Sequence, residues 1–168
     1  MKPILSMCAI AAMTCSVSAW ADKPEQYPIV PFQVTGDPIT DCGDFLVLAD
    51  YRGEVYQRDY FNNDGTLKRI FYSFNFSDQV FYNSNDPSYW LPGDRGHSQV
   101  WYHFQDGVPV SAAQNGPQIK VTIPGYGAVL LEGGRLIYDI ALGEFVLVAG
   151  RHDLFNGITD AFCAALRP

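Results

Sequence analysis

Short apolar and aromatic runs separated by pairs of turn-forming residues constrain the fold of this chain more than any other feature. In residues 68–76, large apolar side chains occupy every second position, at Ile70, Tyr72, Phe74 and Phe76. A period of two residues is typical of a β-strand, whereas a helix repeats every 3.6 residues. Turn pairs recur roughly every ten residues, the spacing of antiparallel hairpins. The sequence therefore predicts an all-β fold.

The turn signals divide the chain into predicted strands. The strongest lies at residues 62–65, where Asn, Asp and Gly tolerate the positive φ of tight hairpins. Further turns are predicted at residues 52–53, 106–107, 115–117, 124–127 and 133–134. Continuous apolar runs at residues 45–49 and 145–149 predict strands buried on both faces. Residues 80–82 are predicted as a short strand, and residues 83–96 as the longest loop.

The last segment has a different period. Ile158, Phe162 and Ala165 recur at helical spacing, and Thr159 or Asn156 is suited to cap a helix over residues 158–166. The whole pattern predicts an antiparallel β-sandwich or barrel of about 8–10 short strands with one short C-terminal helix.

The amino terminus has the three parts of a secretory signal. Lys2 gives a positive start, residues 4–17 are apolar or small without charge, and residues 19–21 (Ala-Trp-Ala) form a cleavage site. A membrane anchor is the alternative, but the run is shorter than the roughly 18 residues that a span needs. A lipoprotein signal fits poorly, since neither Cys8 nor Cys15 follows the required residues. We expect a signal peptide at residues 1–21, a mature chain starting at Asp22, and a secreted (extracellular or periplasmic) protein.

A proline-rich leader follows the predicted cleavage site. Pro24, Pro28, Pro31 and Pro38 lie within residues 22–41 and remove backbone hydrogen-bond donors, so we expect an extended leader with one edge strand near residues 32–34. Residues 42–168 are then a single β domain. The net charge of −7 becomes more negative when Lys2 is removed, and no basic patch is visible. An acidic domain of this kind argues against nucleic acid as a partner. No segment after the signal is apolar enough to span a membrane.

Two cysteines remain after signal removal. Cys42 and Cys163 are an even pair in an oxidising compartment, which predicts a disulfide that closes the domain. Two free buried thiols are the alternative.

Several of these motifs occur together in a known group. Cys42-Gly43 opens the first strand of the domain. Three turns follow it along the chain, at Asp64-Gly65, Asp106-Gly107 and residues 124–127, and a Gly-Arg pair comes after them at residues 134–135. The chain ends on residues 162–166, Phe-Cys-Ala-Ala-Leu. Over about residues 42–166 this arrangement resembles an uncharacterised family of small secreted bacterial β-rich proteins of the actinobacterial type. The resemblance implies a secreted β domain with a disulfide, and it implies no activity or ligand.

Catalytic and metal-binding patterns are weak. His97 and His103 have the same parity on one predicted strand, but six residues separate them by roughly 20 Å, too far to share a metal ion. His152 and Asp153 are adjacent, so on an extended chain they point to opposite faces. No nucleophile-elbow motif occurs. The sequence predicts no catalytic residue, no metal site and no cofactor.

Aromatic residues beside polar groups are the positive functional signal. Tyr89 and Trp90 lie in the predicted loop with Asp86 and Asp94, while Trp101 shares a strand face with His103 and Gln99. Flat rings beside such groups can hold sugars or cationic ligands. The alternative is that Trp90 closes one end of the fold and Trp101 belongs to the core, since large aromatic residues usually bury.

Three functional hypotheses remain open at this point. The first is a secreted, non-enzymatic β domain that binds a small molecule, a glycan or an extracellular protein. The second is an envelope-associated structural domain without a small ligand. The third is a hydrolase or isomerase whose site is assembled across strands. An open, ligand-sized cavity lined by Trp and Tyr would favour the first hypothesis. A side-chain-filled interior with an exposed apolar patch would favour the second. A His–acid pair within hydrogen-bond distance in a cleft would favour the third.

Overall fold

A computed structural model of the chain describes residues 24–168. The predicted signal peptide and its cleavage site lie outside the described residues. Nine strands and one helix follow one another in this part of the chain: β1 (Glu25–Gln26), β2 (Val30–Asp41), β3 (Leu46–Phe61), β4 (Leu67–Asn83), β5 (Trp90–Pro92), β6 (Gly96–Gln105), β7 (Val108–Ile123), β8 (Gly127–Asp139), β9 (Glu144–His152) and α1 (Asp160–Ala165).

All nine strands belong to one antiparallel sheet, so the predicted all-β fold is confirmed. The main path runs β1-β3-β4-β6-β7-β8-β9, with β2 also paired to β3 and β5 also paired to β4. The sheet does not close on itself. The predicted hairpin turns at residues 62–65, 106–107 and 124–127 each connect neighbouring strands. At the second of these, Asp106 and Gly107 both have positive φ, as a tight hairpin turn requires.

The strands are longer than the sequence predicts, because three expected turns are bends inside strands. Residues 52–53 lie within β3, residues 115–117 within β7 and residues 133–134 within β8. Each sits at or beside a register shift or a close approach of two backbones. A Cβ at Gly53 would lie 2.0 Å from the carbonyl oxygen of Asn75, and one at Gly134 would lie 2.2 Å from that of Ala149. Glycine at these points lets neighbouring strands cross closely and the sheet bend without breaking.

This bend divides the molecule into two halves. In the half that we call the packed half, the later part of β4 and the start of β3 face the later part of β7 and the start of β8, and α1 fills the space between them. Eight buried residues form its core: Phe45, Val47, Ala49, Phe81, Val121, Leu130, Phe162 and Leu166. Two hydrogen bonds connect the facing parts of the sheet. Gln79 Nε2 donates to the Gln118 carbonyl (3.0 Å), and the Asp94 amide donates to the Lys120 carbonyl (2.7 Å).

In the other half, which we call the open half, no element among residues 24–168 forms a layer over the concave face of the sheet. It comprises the first part of β4, β6, the first part of β7, the second part of β8, and β9. Residues 145–149 lie here in the edge strand β9, and the prediction that they form a buried strand is wrong. Phe145 is 45% exposed and Val146 is 53% exposed. An apolar run does not require burial when nothing packs against the strand.

The helix and the disulfide fasten the end of the chain to the packed half. The helix predicted over residues 158–166 is shorter, Asp160–Ala165, with Thr159 at its N-cap position. The Cys42–Cys163 disulfide is present, with its Cα atoms 5.7 Å apart. Two predicted irregular segments also contain strands. The edge strand near residues 32–34 extends over the whole of β2, and the loop at residues 83–96 contains β5, paired to β4. No helix among residues 24–168 is long and apolar enough to cross a membrane.

Candidate functional site

The concave face of the open half forms a groove of about 740 Å³. It crosses β4, β6, β7 and β8 and reaches Phe145 of β9. None of the side chains that line it carries a charge. Six aromatic side chains dominate its surface: Tyr72, Phe74, Tyr102, Phe104, Tyr138 and Phe145. We call this surface the aromatic groove.

Strand register brings these side chains onto one face. Tyr72 of β4 pairs with Val100 of β6, which pairs with Gln114 of β7, which pairs with Leu136 of β8. Directly paired residues in an antiparallel sheet point to the same side. The next row contains Tyr102 and Tyr138 in the same way. The period-two pattern of the sequence thus becomes a continuous apolar surface five strands wide.

A second cavity continues the groove into the packed half. It has a volume of about 330 Å³ and shares Phe74 and Gln118 with the aromatic groove. Tyr51 lies in its wall and donates a hydrogen bond to Asp37 Oδ2 (2.7 Å). Burial, followed by this hydrogen bond and the charge of Asp37, raises the pKa of Tyr51 to about 12. The Tyr51 hydroxyl therefore stays protonated and donating at physiological pH.

One buried acid lies beside the aromatic groove. Asp59 accepts hydrogen bonds from Tyr27 Oη (3.2 Å) and Gln57 Nε2 (2.8 Å), and it is 8% exposed. Burial first, and then the nearby Asp59 charge and Tyr102, raise the pKa of Tyr72. The phenol of Tyr72 is thus neutral in a largely apolar environment.

The loop candidates from the sequence lie at the packed half, away from the groove. Trp90 pairs with Tyr82 at the edge of the sheet and is 55% exposed, so it does not close the core. Asp86 Oδ1 accepts the Ser88 amide within its own turn. Asp94 accepts the Thr122 hydroxyl (2.7 Å) and pairs with Lys120 Nζ (3.2 Å), so both acids have partners in the protein. Tyr89 is half-buried, and its carbonyl accepts a hydrogen bond from the Asn83 amide.

The strand candidates lie on the opposite, convex face of the open half. Trp101 packs against Phe71 with ring centroids 4.3 Å apart and ring planes tilted by 39°, and the exposed His103 follows it on the same face. Along β4, the partners of Trp101 and Trp90 are eleven residues apart, or roughly 35 Å of strand. The structure therefore does not bring the two predicted groups into one site.

The only buried histidine–acid pair among residues 24–168 is structural in its geometry. His152 Nδ1 contacts Glu132 Oε1 (2.5 Å), and its Nε2 contacts the Ala149 carbonyl (3.1 Å). Both ring nitrogens therefore contact acceptor atoms of the protein. His152 is 2% exposed, so no substrate reaches it. This pair joins β8 to β9 and leaves no free group in a cleft for acid–base chemistry.

Metal ligands are not gathered in the described part of the chain. Within residues 24–168, no group of three or more His, Cys, Asp or Glu side chains is placed to hold a metal ion.

Sequence reasoning missed the aromatic groove although its signal was visible. The alternation of Ile70, Tyr72 and Phe74 predicted one face of a strand, and no functional role was assigned to that face. The tyrosines were the missed clue, since a fully buried core seldom places several phenol groups side by side without hydrogen-bond partners.

Comparisons with known proteins give no family for this chain. No family model matches the sequence, and no match was found among the curated proteins or the solved structures.

Proposed function

We propose that this protein is a secreted, non-enzymatic module that binds a hydrocarbon ligand, such as a fatty acyl chain, in the aromatic groove. The observation that supports this most is the uncovered groove itself, with six aromatic side chains and no charged one. Its volume of about 740 Å³ lies in the range of small-molecule sites, roughly 300–1,000 Å³.

The chemistry of the lining selects the ligand. Apart from the hydroxyl groups of its tyrosines, the groove presents only the side-chain amides of Gln114 and Gln118 as polar groups. A sugar would have to give up the hydration of many hydroxyl groups for few hydrogen bonds, which is unfavourable. An acyl chain loses nothing comparable and gains about 0.8 kcal/mol for each buried CH₂ group. The lining therefore favours a hydrocarbon over a glycan.

The shape favours a long ligand. The second cavity joins the groove at Phe74 and Gln118 and leads toward Phe81 in the packed half. A flexible chain can follow this bent path, and its polar end would remain at the open side near Phe145. Three tyrosines suit such a site because their rings are apolar while their hydroxyl groups tolerate water when the site is empty.

A matched pair of charge substitutions tests the proposal. Leu136 lines the groove, whereas its neighbour Ile137 lies on the opposite face of β8 and pairs with Ala113 and Leu147. We expect the wild type to bind palmitate, measured by displacement of a fluorescent fatty acid. Leu136→Lys should weaken this binding at least about tenfold, because a buried unpaired charge costs more than 1.4 kcal/mol. Ile137→Lys should bind like the wild type.

Two results would contradict the proposal. One is the absence of fatty-acid binding by the wild type. The other is an equal loss of fatty-acid binding in Leu136→Lys and Ile137→Lys. Sedimentation equilibrium identifies a different occupant: if a second copy covers the groove, the wild type will be a dimer and Leu136→Lys a monomer, with no ligand bound by either.

A further inference from the structure

A second site, on the other face of the sheet, follows from the basic and aromatic side chains there. We infer that Arg69, with Arg58 and His103, binds the oxyanion of a small ligand, a carboxylate, sulfate or phosphate group. This site lies on the convex face of the open half, so it is independent of the aromatic groove.

The Arg69 side chain is held in place by two rings. Its guanidinium carbon lies 4.2 Å from the ring centroid of Tyr60 and 5.0 Å from that of Trp101. Its Nε atom is buried without a hydrogen-bond partner. Contacts with ring faces leave the in-plane N–H groups of a guanidinium unused, and these are the groups that hold an oxyanion in a bidentate way. The aromatic contacts thus fix the side chain, while its terminal nitrogens are not buried and keep their donors available to a ligand.

Two further basic side chains adjoin Arg69. His103 is its direct cross-strand partner on β6. Arg58 of β3 pairs with Phe71, which lies two residues after Arg69 on β4. Arg58 is therefore the diagonal neighbour of Arg69 on the same face of the sheet. Arg58 donates from Nε to the hydroxyl of Tyr56 and lies over that ring. Three adjacent strands therefore contribute one nitrogen-rich side chain each to one patch.

No acidic side chain among residues 24–168 pairs with the arginines of this patch. The chain has 18 acidic and 11 basic residues, so carboxylates are in excess. Elsewhere among residues 24–168, Arg52, Arg151 and Arg167 each form an ion pair with an aspartate, whereas Arg95 and Arg135 form none. Within the same described range, neither Arg58 nor Arg69 lies within ion-pair distance of an acid.

Adjacent like charges on one sheet face are destabilising unless an anion accompanies them. Two adjacent arginines without an ion-pair partner among residues 24–168, one of them held between two rings, have the arrangement of an anion site. A purely structural cation–π contact explains the clamping of Arg69, but it does not explain why no carboxylate joins the group.

Nuclear magnetic resonance reads this site directly, through the indole N–H signal of Trp101 and the Nε–H signal of Arg69. We expect saturable shifts of both signals on titration with sodium phosphate at constant ionic strength, while the indole signal of Trp90 stays in place. Titrations with sulfate and acetate compare the affinity of the site for tetrahedral and planar oxyanions. Sodium chloride alone should leave both signals unchanged.

Variants separate specific binding from overall charge. Arg69→Gln should abolish the Trp101 shift, and Arg69→Lys, which keeps the charge but loses the fork of donors, should weaken binding about tenfold. Arg95→Gln removes the same charge at an exposed position outside the patch and should bind like the wild type. The inference is overturned if no oxyanion gives a saturable Trp101 shift, or if Arg69→Lys and Arg95→Gln bind equally well.

Discussion

The packed and open halves are built from the same long strands, yet only one of them has a core. β4 carries Phe81 in the packed half, where it is 1% exposed, and Tyr72 and Phe74 in the open half, where they line the groove. The difference lies in what is opposite the strand. In the packed half, the bend brings β7, β8 and α1 over β4, whereas in the open half the sheet faces solvent.

The two halves also differ in side-chain chemistry. Every large side chain in the packed core is aliphatic or phenylalanine, for instance Leu130 and Phe162. The open face adds Tyr72, Tyr102 and Tyr138 to its apolar side chains. Phenylalanine suits permanent burial, while tyrosine suits a surface that is alternately wet and covered. Tyrosine is thus present on the uncovered face and absent from the eight core residues, although the strands of both halves have the same period of two residues.

The disulfide should make the largest contribution to the stability of the packed half. The double variant Cys42→Ala/Cys163→Ala removes a link across 121 residues, and we expect it to lose about 5 kcal/mol of unfolding free energy in the loop-entropy description. Urea denaturation followed by circular dichroism measures this loss. Dithiothreitol should destabilise the wild type to a similar degree and leave the double variant unchanged. A loss below 1 kcal/mol would show that the helix holds the chain end without the bond.

A pair of identical substitutions compares the halves directly. Phe81→Ala should cost about 4 kcal/mol, because it leaves a cavity in a closed core. Phe145→Ala, at a site that is 45% exposed, should cost only about 1 kcal/mol. Chemical denaturation of both variants gives the two values. Equal losses would mean that the open face is covered in solution, by a ligand or by another copy.

The boundary between the halves depends on glycine. Gly134 has a φ of +145°, and an added Cβ would meet the Ala149 carbonyl, so we expect Gly134→Ala to cost about 3 kcal/mol. Gly157 also has positive φ, but no atom lies within 4 Å of its Cβ position, so Gly157→Ala should cost only about 1 kcal/mol. Thermal unfolding of both variants compares them. If the two variants melt at the same temperature, the close backbone approach at Gly134 does not require glycine at that position.

These glycines also explain how far the fold was predictable. Period-two patterns and Asp-Gly pairs are local signals, and they located the hairpins at residues 62–65 and 106–107 correctly, whereas the Asn-Gly pair at residues 115–116 lies within β7. Gly53 and Gly134 have the same local appearance as turn residues, yet they bend strands that continue. Whether a glycine reverses or bends a strand depends on the pairing of distant strands, and no short window of sequence contains that information.

The two proposed binding surfaces were predictable only in part. The shared face of Trp101 and His103 follows from residue parity and is present in the structure. The addition of Arg58 and Tyr60 to that face depends on the register between β3 and β4, and the aromatic groove depends on the absence of a covering layer. Both are properties of the assembled sheet rather than of a single strand.

A smaller effect should appear at acidic pH. Burial alone would raise the pKa of Asp153, but hydrogen bonds from Arg151 and from the Leu131 amide, with the Arg151 charge, lower it below its ordinary value of 3.8. A carboxylate with a lowered folded-state pKa stabilises the fold above its unfolded pKa, and this contribution is lost as the pH falls through the folded value. The stability difference between wild type and Asp153→Asn should thus be constant from pH 7 to about pH 4 and shrink below it. Urea titrations between pH 7 and pH 2 measure it. A difference that persists unchanged at pH 2 would contradict this assignment.

The smallest change is expected for Trp90→Ala, which also tests the loop hypothesis against the groove. Trp90 is 55% exposed at the rim of the packed half, so its removal should cost less than about 1 kcal/mol. Fatty-acid binding should be unaffected because the residue does not line the aromatic groove. A loss of binding with an unchanged melting temperature would move the site to the loop at residues 83–96. A loss of several kcal/mol would instead show that Trp90 packs against the domain in solution, and the loop would then have no exposed ring with which to hold a ligand.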